Sequence, residues 1–135
     1  MNVNYNLNQK LKRMERNEIR SNIKITNGLL LQLKSEAFKR GLKTNTYLIH
    51  LLTIALNTVS LDGIEVKNLK TLEAYDELKT LQVILPLELS VNIKMFGLQL
   101  EARRYYNDEI KGLKGIRRST IDLIHTGMLI DNELD

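Results

Sequence analysis

Two short segments of the chain alternate polar and apolar residues, and each then gives way to helical spacing. In the first, Asn22, Ile23, Lys24, Ile25 and Thr26 place Ile23 and Ile25 on one face and the polar residues on the other. In the second, "TLQVILPLEL", Leu81, Val83 and Leu85 share a face opposite Thr80, Gln82 and Ile84. Period two is the mark of a strand with one buried face. An isolated strand leaves a row of backbone N–H and C=O groups without partners, so each of these strands requires another.

Helical spacing follows both segments. After the first, Leu30, Leu33 and Ala37 predict a helix running to about Arg40, with Thr26 as its N-cap and Gly41 in the left-handed position that ends it. Leu48, Leu51, Leu52 and Ala55 then predict a second helix, capped by Thr44 or Asn45. After the second strand, Pro86 stands where a helix can begin, and Leu89 and Ile93 continue its stripe. "GIRRSTIDLIHTGMLI" repeats the layout of the Gly41–Leu56 segment, with Ser119 as the expected N-cap and Ile121, Ile124 and Met128 on the buried face. The chain thus reads as two weakly similar strand–helix–helix units. Residues 98–114 are an insertion in the second, expected to extend its first helix through "LEARRYY" until "NDEIKGLKG" breaks it.

The organisation expected is a basic N-terminal arm (1–20), a first unit (21–57), a connector (58–78) and a second unit (79–135). The arm is rich in Asn, Lys and Arg, with Leu7, Leu11 and Met14 as a thin helical stripe. The connector holds five acidic and two basic residues. Its "SLDGIE" is a turn signal, and Leu69, Leu72 and Leu78 suggest a short helix.

Composition narrows the class. The 135 residues are 43% hydrophobic and 27% charged, which suits one ordinary globular domain. With no Cys, disulfides and thiolate metal sites are excluded. No apolar run is long enough to span a bilayer, and "MNVNYNLNQK" lacks a signal-peptide core, so a cytoplasmic location is expected. Net charge is +4, but residues 1–43 carry ten Lys or Arg against three Glu, a local balance of +7, while the remainder stands at −3. Positive charge gathered at one end favours a polyanionic partner, nucleic acid before an anionic membrane; the plain alternative is solubilising surface charge.

The segments "NIKIT…LLLQLKSEAFKRGLKTNTYLIHLL" and "LQVILPLEL…GIRRSTIDLIHTGM" resemble the ribbon–helix–helix superfamily of Arc- and MetJ-like DNA-binding proteins. The resemblance implies a mainly α fold of tandem form: two β-α-α units joined through a two-stranded antiparallel β-ribbon, with four helices around a shared core. Such a unit is too small to fold alone. Pairing of the two strands within one chain, as a pseudo-dimer, is favoured over pairing between chains because it closes both edges locally.

The resemblance further implies sequence-specific binding of double-stranded DNA, with the ribbon in the major groove. A transcriptional regulator is expected, a repressor of viral or plasmid type, with several molecules able to assemble on DNA. Base-reading residues would be Arg20, Asn22, Lys24 and Thr26 on one strand and Thr80, Gln82 and Ile84 on the other. Lys24 suits guanine O6 or N7, Asn22 and Gln82 suit adenine, and Ile84 suits a thymine methyl. Phosphate contacts would come from the starts of the second helices: Lys43, Thr44, Asn45 and Thr46, and Arg117, Arg118, Ser119 and Thr120. Lys10, Lys12, Arg13 and Arg16 of the arm would add to these.

Each assignment has a plainer counterpart, since polar strand faces, helix caps and surface arginines occur without DNA. His50 and His125 sit inside apolar helices and read as satisfied, partly buried side chains. No phosphate loop, nucleophile motif or HExxH pattern is present, so no enzyme, cofactor or metal is expected. The alternative function is a helical protein–protein interaction module, antitoxin-like or a plasmid-partition adaptor.

Overall fold

The computed structural model describes residues 17–62, 65–108, 110 and 112–134. The elements run β1 (Glu18–Thr26), α1 (Asn27–Lys39), α2 (Thr44–Thr58), β2 (Ser60–Asp62), β3 (Glu65–Lys67), β4 (Leu78–Pro86), α3 (Leu87–Ala102) and α4 (Ile116–Leu134). The fold is four helices set against a small two-stranded antiparallel sheet, with a minor hairpin in the connector.

β1 pairs with β4 in register from Glu18 opposite Pro86 to Thr26 opposite Leu78, with Asn22 opposite Gln82 at the centre. The alternation holds over the middle of both strands: Ile25, Val83 and Leu85 are buried beneath the ribbon, Ile23 and Leu81 are only half-buried there, and Asn22 and Gln82 face solvent. At the far end, by contrast, Thr26 is buried and Lys79 is exposed. β1 begins at Glu18, so the last three residues assigned to the basic arm belong to the ribbon; Lys10, Lys12, Arg13 and Arg16 lie outside the described residues.

The helices bury one continuous core. Leu29, Leu33 and Ala37 of α1, Tyr47, Leu48, Leu51, Leu52 and Ala55 of α2, Leu89, Ile93, Phe96 and Leu100 of α3, and Ile121, Ile124 and Met128 of α4 all contribute. α2 and α4 cross in close contact: a Cβ on Gly127 would lie 2.4 Å from the Leu51 carbonyl oxygen, closer than any side chain can approach.

Local chemistry sets the ends. Thr26 caps α1, its hydroxyl accepting from Leu29 N at 3.3 Å, and Gly41 ends the turn after α1 at φ +67°. α2 starts one residue earlier than the hydroxyl pattern suggests, with Lys43 in the N-cap position and no side-chain cap. α3 stops at Ala102 rather than running through "RRYY", because Arg104 takes a left-handed conformation at φ 52°. α4 opens at Ile116, immediately after Gly115 at φ +52°, so Ser119 lies inside its first turn and is not a cap.

The connector is not helical. It forms the hairpin β2–β3 and then continues without regular secondary structure, with Leu69 inserted into the core. Lys70 N donates to Thr126 Oγ1 at 2.8 Å and Leu72 N to Asp122 Oδ1 at 3.3 Å, so α4 supplies the partners a helix would have supplied internally. Among the described residues, no helix is long and apolar enough to cross a membrane.

Candidate nucleic-acid interface

The outer face of the ribbon is a row of cross-strand pairs: Arg20 opposite Ile84, Asn22 opposite Gln82, and Lys24 opposite Thr80. Arg20, Asn22, Thr80 and Gln82 are exposed, whereas Lys24 and Ile84 are half-buried. Lys24 Nζ donates to Thr80 Oγ1 at 2.6 Å, which holds the lysine stem across the ribbon. Thr26 does not belong to this face. It is 2% exposed and its hydroxyl is committed to the α1 cap, which rules out base contact.

Asn45, at the start of α2, fixes the far end of this row. Its Nδ2 donates to the Ile84 carbonyl at 2.9 Å, and its Oδ1 accepts from Ile84 N at 2.8 Å. Both backbone groups of Ile84 therefore point away from β1, so Arg20 and Ile84 form a non-hydrogen-bonded pair. The pairs at Asn22–Gln82 and Lys24–Thr80, two and four residues along, belong to the same class. Side chains approach closest in such pairs, so the outer face presents a dense double row of side chains.

The starts of α2 and α4 stand at opposite ends of the ribbon. α2 reaches it through Asn45, while Ile116, Arg117 and Thr120 of α4 line a cleft of about 360 Å³ with Asn22, Lys24 and Thr80. Helix N-termini carry partial positive charge, so both ends of the polar row favour an anion. Lys43, Thr46 and Arg117 are exposed there, and Thr44 is half-buried. Asn45 is half-buried and spends its amide on Ile84.

Arg118, Ser119 and Thr120 are buried, which removes them from the expected phosphate-facing group. The two hydroxyls turn back onto the Ile116 carbonyl, at 3.1 Å and 2.6 Å. Arg118 lies over the rings of Tyr106 and Tyr75, 4.1 and 5.1 Å from their centroids, and pairs with Asp108 at 2.8 Å. The local pattern "GIRRS" gives no sign of this, because the enclosing residues come from the connector and from the 98–114 segment.

Two carboxylate clusters brace the helices behind the interface. Asp122 of α4 accepts from the hydroxyls of Tyr75, at 2.6 Å, and Tyr106. Burial raises the Asp122 carboxyl above the usual carboxylate range, and burial with the bond to Asp122 pushes Tyr75 up to about 12. Asp131, near the end of α4, meets Arg40 Nη2 at 2.9 Å, Tyr47 Oη at 3.0 Å and His50 Nε2 at 3.0 Å. Burial alone would raise the Asp131 carboxyl, but its bonds to His50 and Tyr47 and the Arg40 charge hold it below the usual range. A single acid inside an apolar helix is the sequence signal for each cluster, and it names no partner.

Among the described residues, no group of three or more His, Asp or Glu side chains is placed to hold a metal ion. Comparison of the chain with protein-family models, with curated proteins and with solved structures gave no match.

Proposed function

We propose that this chain is a sequence-specific double-stranded DNA-binding protein of tandem ribbon–helix–helix type, which lays the β1–β4 ribbon into the major groove. The observation that carries this reading is the outer row itself. Asn22, Gln82 and Arg20 are exposed on a ribbon whose underside is sealed by Ile25, Val83 and Leu85.

A two-stranded ribbon fits the major groove, where each base pair shows a distinct donor and acceptor pattern. Asn22 and Gln82, facing each other at the centre, offer the amide geometry that pairs with adenine N6 and N7. Lys24 and Arg20 are donors for guanine, and Ile84 offers an apolar contact for a thymine methyl. Lys43, Thr46 and Arg117 would hold the flanking phosphates and set the register without reading sequence. The row is chemically unequal about its centre, with Lys24 and Thr80 at one end and Arg20 and Ile84 at the other, so the preferred site is not a palindrome. Bound across a promoter, such a protein acts as a repressor.

A protein-interaction module is the second reading, favoured by Phe38 and Leu31 of α1, which are 86% and 60% exposed.

Selection of duplexes from a random pool, followed by footprinting of the enriched sequence across a salt series, tests the proposal. Enrichment of one sequence, with affinity falling steeply as salt rises, is expected. Recovery of random duplex alone, or of none at any salt, would overturn it.

A further inference from the structure

Phe38, near the end of α1, is 86% exposed, and Leu31, two turns earlier on the same face, is 60% exposed. An aromatic side chain that packs removes about 150–250 Å² from water, so a ring left this open calls for a cover. Lys34, one turn before Phe38 and also exposed, sets a positive charge beside the ring.

The other half of the molecule holds a place for such a ring. A cavity of about 330 Å³ lies between the end of α2 and the outer side of α3, with Leu56, Val59, Leu61, Met95 and Phe96 as its apolar lining. Leu56, Val59 and Leu61 are half-buried and Met95 is 53% exposed, so this lining is itself incompletely covered. Phe96 and Met95 would give an incoming ring an aromatic edge and a thioether to pack on. Asn92 and Gln99 border the cavity, and Glu88, exposed one turn before Asn92 on the same face of α3, sets a negative charge at its margin.

Ring and cavity stay apart within one copy. α1 leaves the ribbon at Thr26 and α3 leaves it at Pro86, at opposite ends of a ladder about 27 Å long. At its exposure Phe38 does not occupy the cavity of its own chain. Each molecule thus displays an aromatic knob and, in its other half, an apolar hole, with Lys34 beside the first and Glu88 beside the second. An aromatic anchor facing a pocket, with opposite charges at the margin, is the arrangement that gives an interface its energy and its orientation. A second copy of the chain brings both halves of that match.

From these observations we infer that two copies of this chain associate head to tail, the Phe38 ring of one entering the cavity between α2 and α3 of the other and bringing Lys34 beside Glu88. The contact joins unlike patches, so one copy supplies the ring and the other the cavity. The inference does not rest on the ribbon reading DNA.

Solution mass of the full-length chain, measured without DNA over a concentration series into the millimolar range, tests it. Wild type should rise above the 15.6 kDa of one chain as concentration increases. Phe38→Ala removes the ring and Met95→Glu puts a charge into the cavity; both positions are exposed, so thermal melts should match wild type while association is lost. Asn92→Trp, which fills the cavity from another exposed position, should abolish association without adding a charge. An equimolar mixture of Phe38→Ala and Met95→Glu should recover a species of twice the single-chain mass, because one variant still offers a cavity and the other still offers a ring. Wild type that stays at the mass of one chain throughout would show that the ring serves some other partner. A mixture that fails to recover association, or a variant that associates as wild type does, would show that copies meet through other faces. Each of these overturns the inference.

Discussion

Asn45 satisfies both backbone groups of Ile84, donating to its carbonyl at 2.9 Å and accepting from its N–H at 2.8 Å. A strand in a two-stranded ribbon has an outer edge with nothing beside it, and here one amide side chain stands in for the missing neighbour. The bond also ties the first turn of α2 to a residue of the outer row.

Asn45→Ala should therefore cost stability as well as position, roughly 1–3 kcal/mol for leaving two half-buried backbone groups to weaker partners. Urea denaturation of the variant checks this. Asn45→Asp should fall between wild type and Asn45→Ala, because it keeps the acceptor for Ile84 N–H and loses the donor. An unchanged midpoint in Asn45→Ala would show that water replaces the side chain without cost.

The proposed reading of DNA separates Lys24 from Arg117. Lys24→Ala should lose roughly 1–3 kcal/mol of discrimination between the selected duplex and random duplex. Arg117→Ala should weaken both alike and reduce the slope of log affinity against log salt by about one. Competition binding at several salt concentrations distinguishes the two patterns. If Lys24→Ala lowered both affinities by the same factor, the outer row would not be the reading face.

Arg118 now belongs with the fold. Removing it takes a cation from between two tyrosine rings, so Arg118→Ala should lower the melting temperature before it changes salt dependence. Asp122→Ala should be worse, by more than about 3 kcal/mol, since it strips acceptors from Tyr75, Tyr106 and Leu72 N. Asp122→Asn, which retains one carbonyl acceptor, should recover part of that loss. Thermal melts of the three variants test the order.

Acid sensitivity follows from Asp131. Its carboxyl is held below the range it would have in the unfolded chain, so the unfolded state binds the proton first as pH drops. The stability this contributes is present above the ordinary carboxylate range and is lost as pH falls through the lower, folded value. Asp131→Asn should thus flatten the acid limb of the stability profile below about pH 4. Asp122 has the opposite sign: burial raises its carboxyl, so it favours the fold at low pH and loses that contribution as pH rises through its raised value. Urea midpoints measured from acid to neutral pH for wild type and both Asn variants separate the two.

Gly127 tests the helix crossing. Any Cβ there meets the backbone of Leu51, which cannot rotate aside, so Gly127→Ala should cost roughly 1–3 kcal/mol by forcing α4 off α2. A melt equal to that of wild type would mean that the two helices separate freely.

The strands were legible in the sequence because their signal is local. Ile23 and Ile25, and Leu81, Val83 and Leu85, announce a buried side within five residues, and the helices behind them announce theirs by Leu48, Leu51 and Leu52. The failures share a different cause. Leu69 and Leu72 have helical spacing, but the backbone N–H groups of Lys70 and Leu72 donate instead to Thr126 and Asp122, some fifty positions away. Arg118 looks like an arginine at a helix start until Tyr75, Tyr106 and Asp108 close around it. Ser119 has the chemistry of a cap, yet the left-handed Gly115 starts the helix a turn earlier. The outer row at Asn22, Lys24 and Gln82 was readable for the same reason as the strands. The strap from Asn45 was not, because the edge it closes exists only after β1 and β4 have met.

β1 and β4 meet within a single polypeptide. In an assembly of two identical halves, dilution separates the halves, and occupancy of any target falls with the square of the amount present. Here the two strands of the ribbon are synthesised together and cannot drift apart. On the DNA-binding reading proposed above, occupancy at low supply should rise in proportion to the amount of chain rather than to its square.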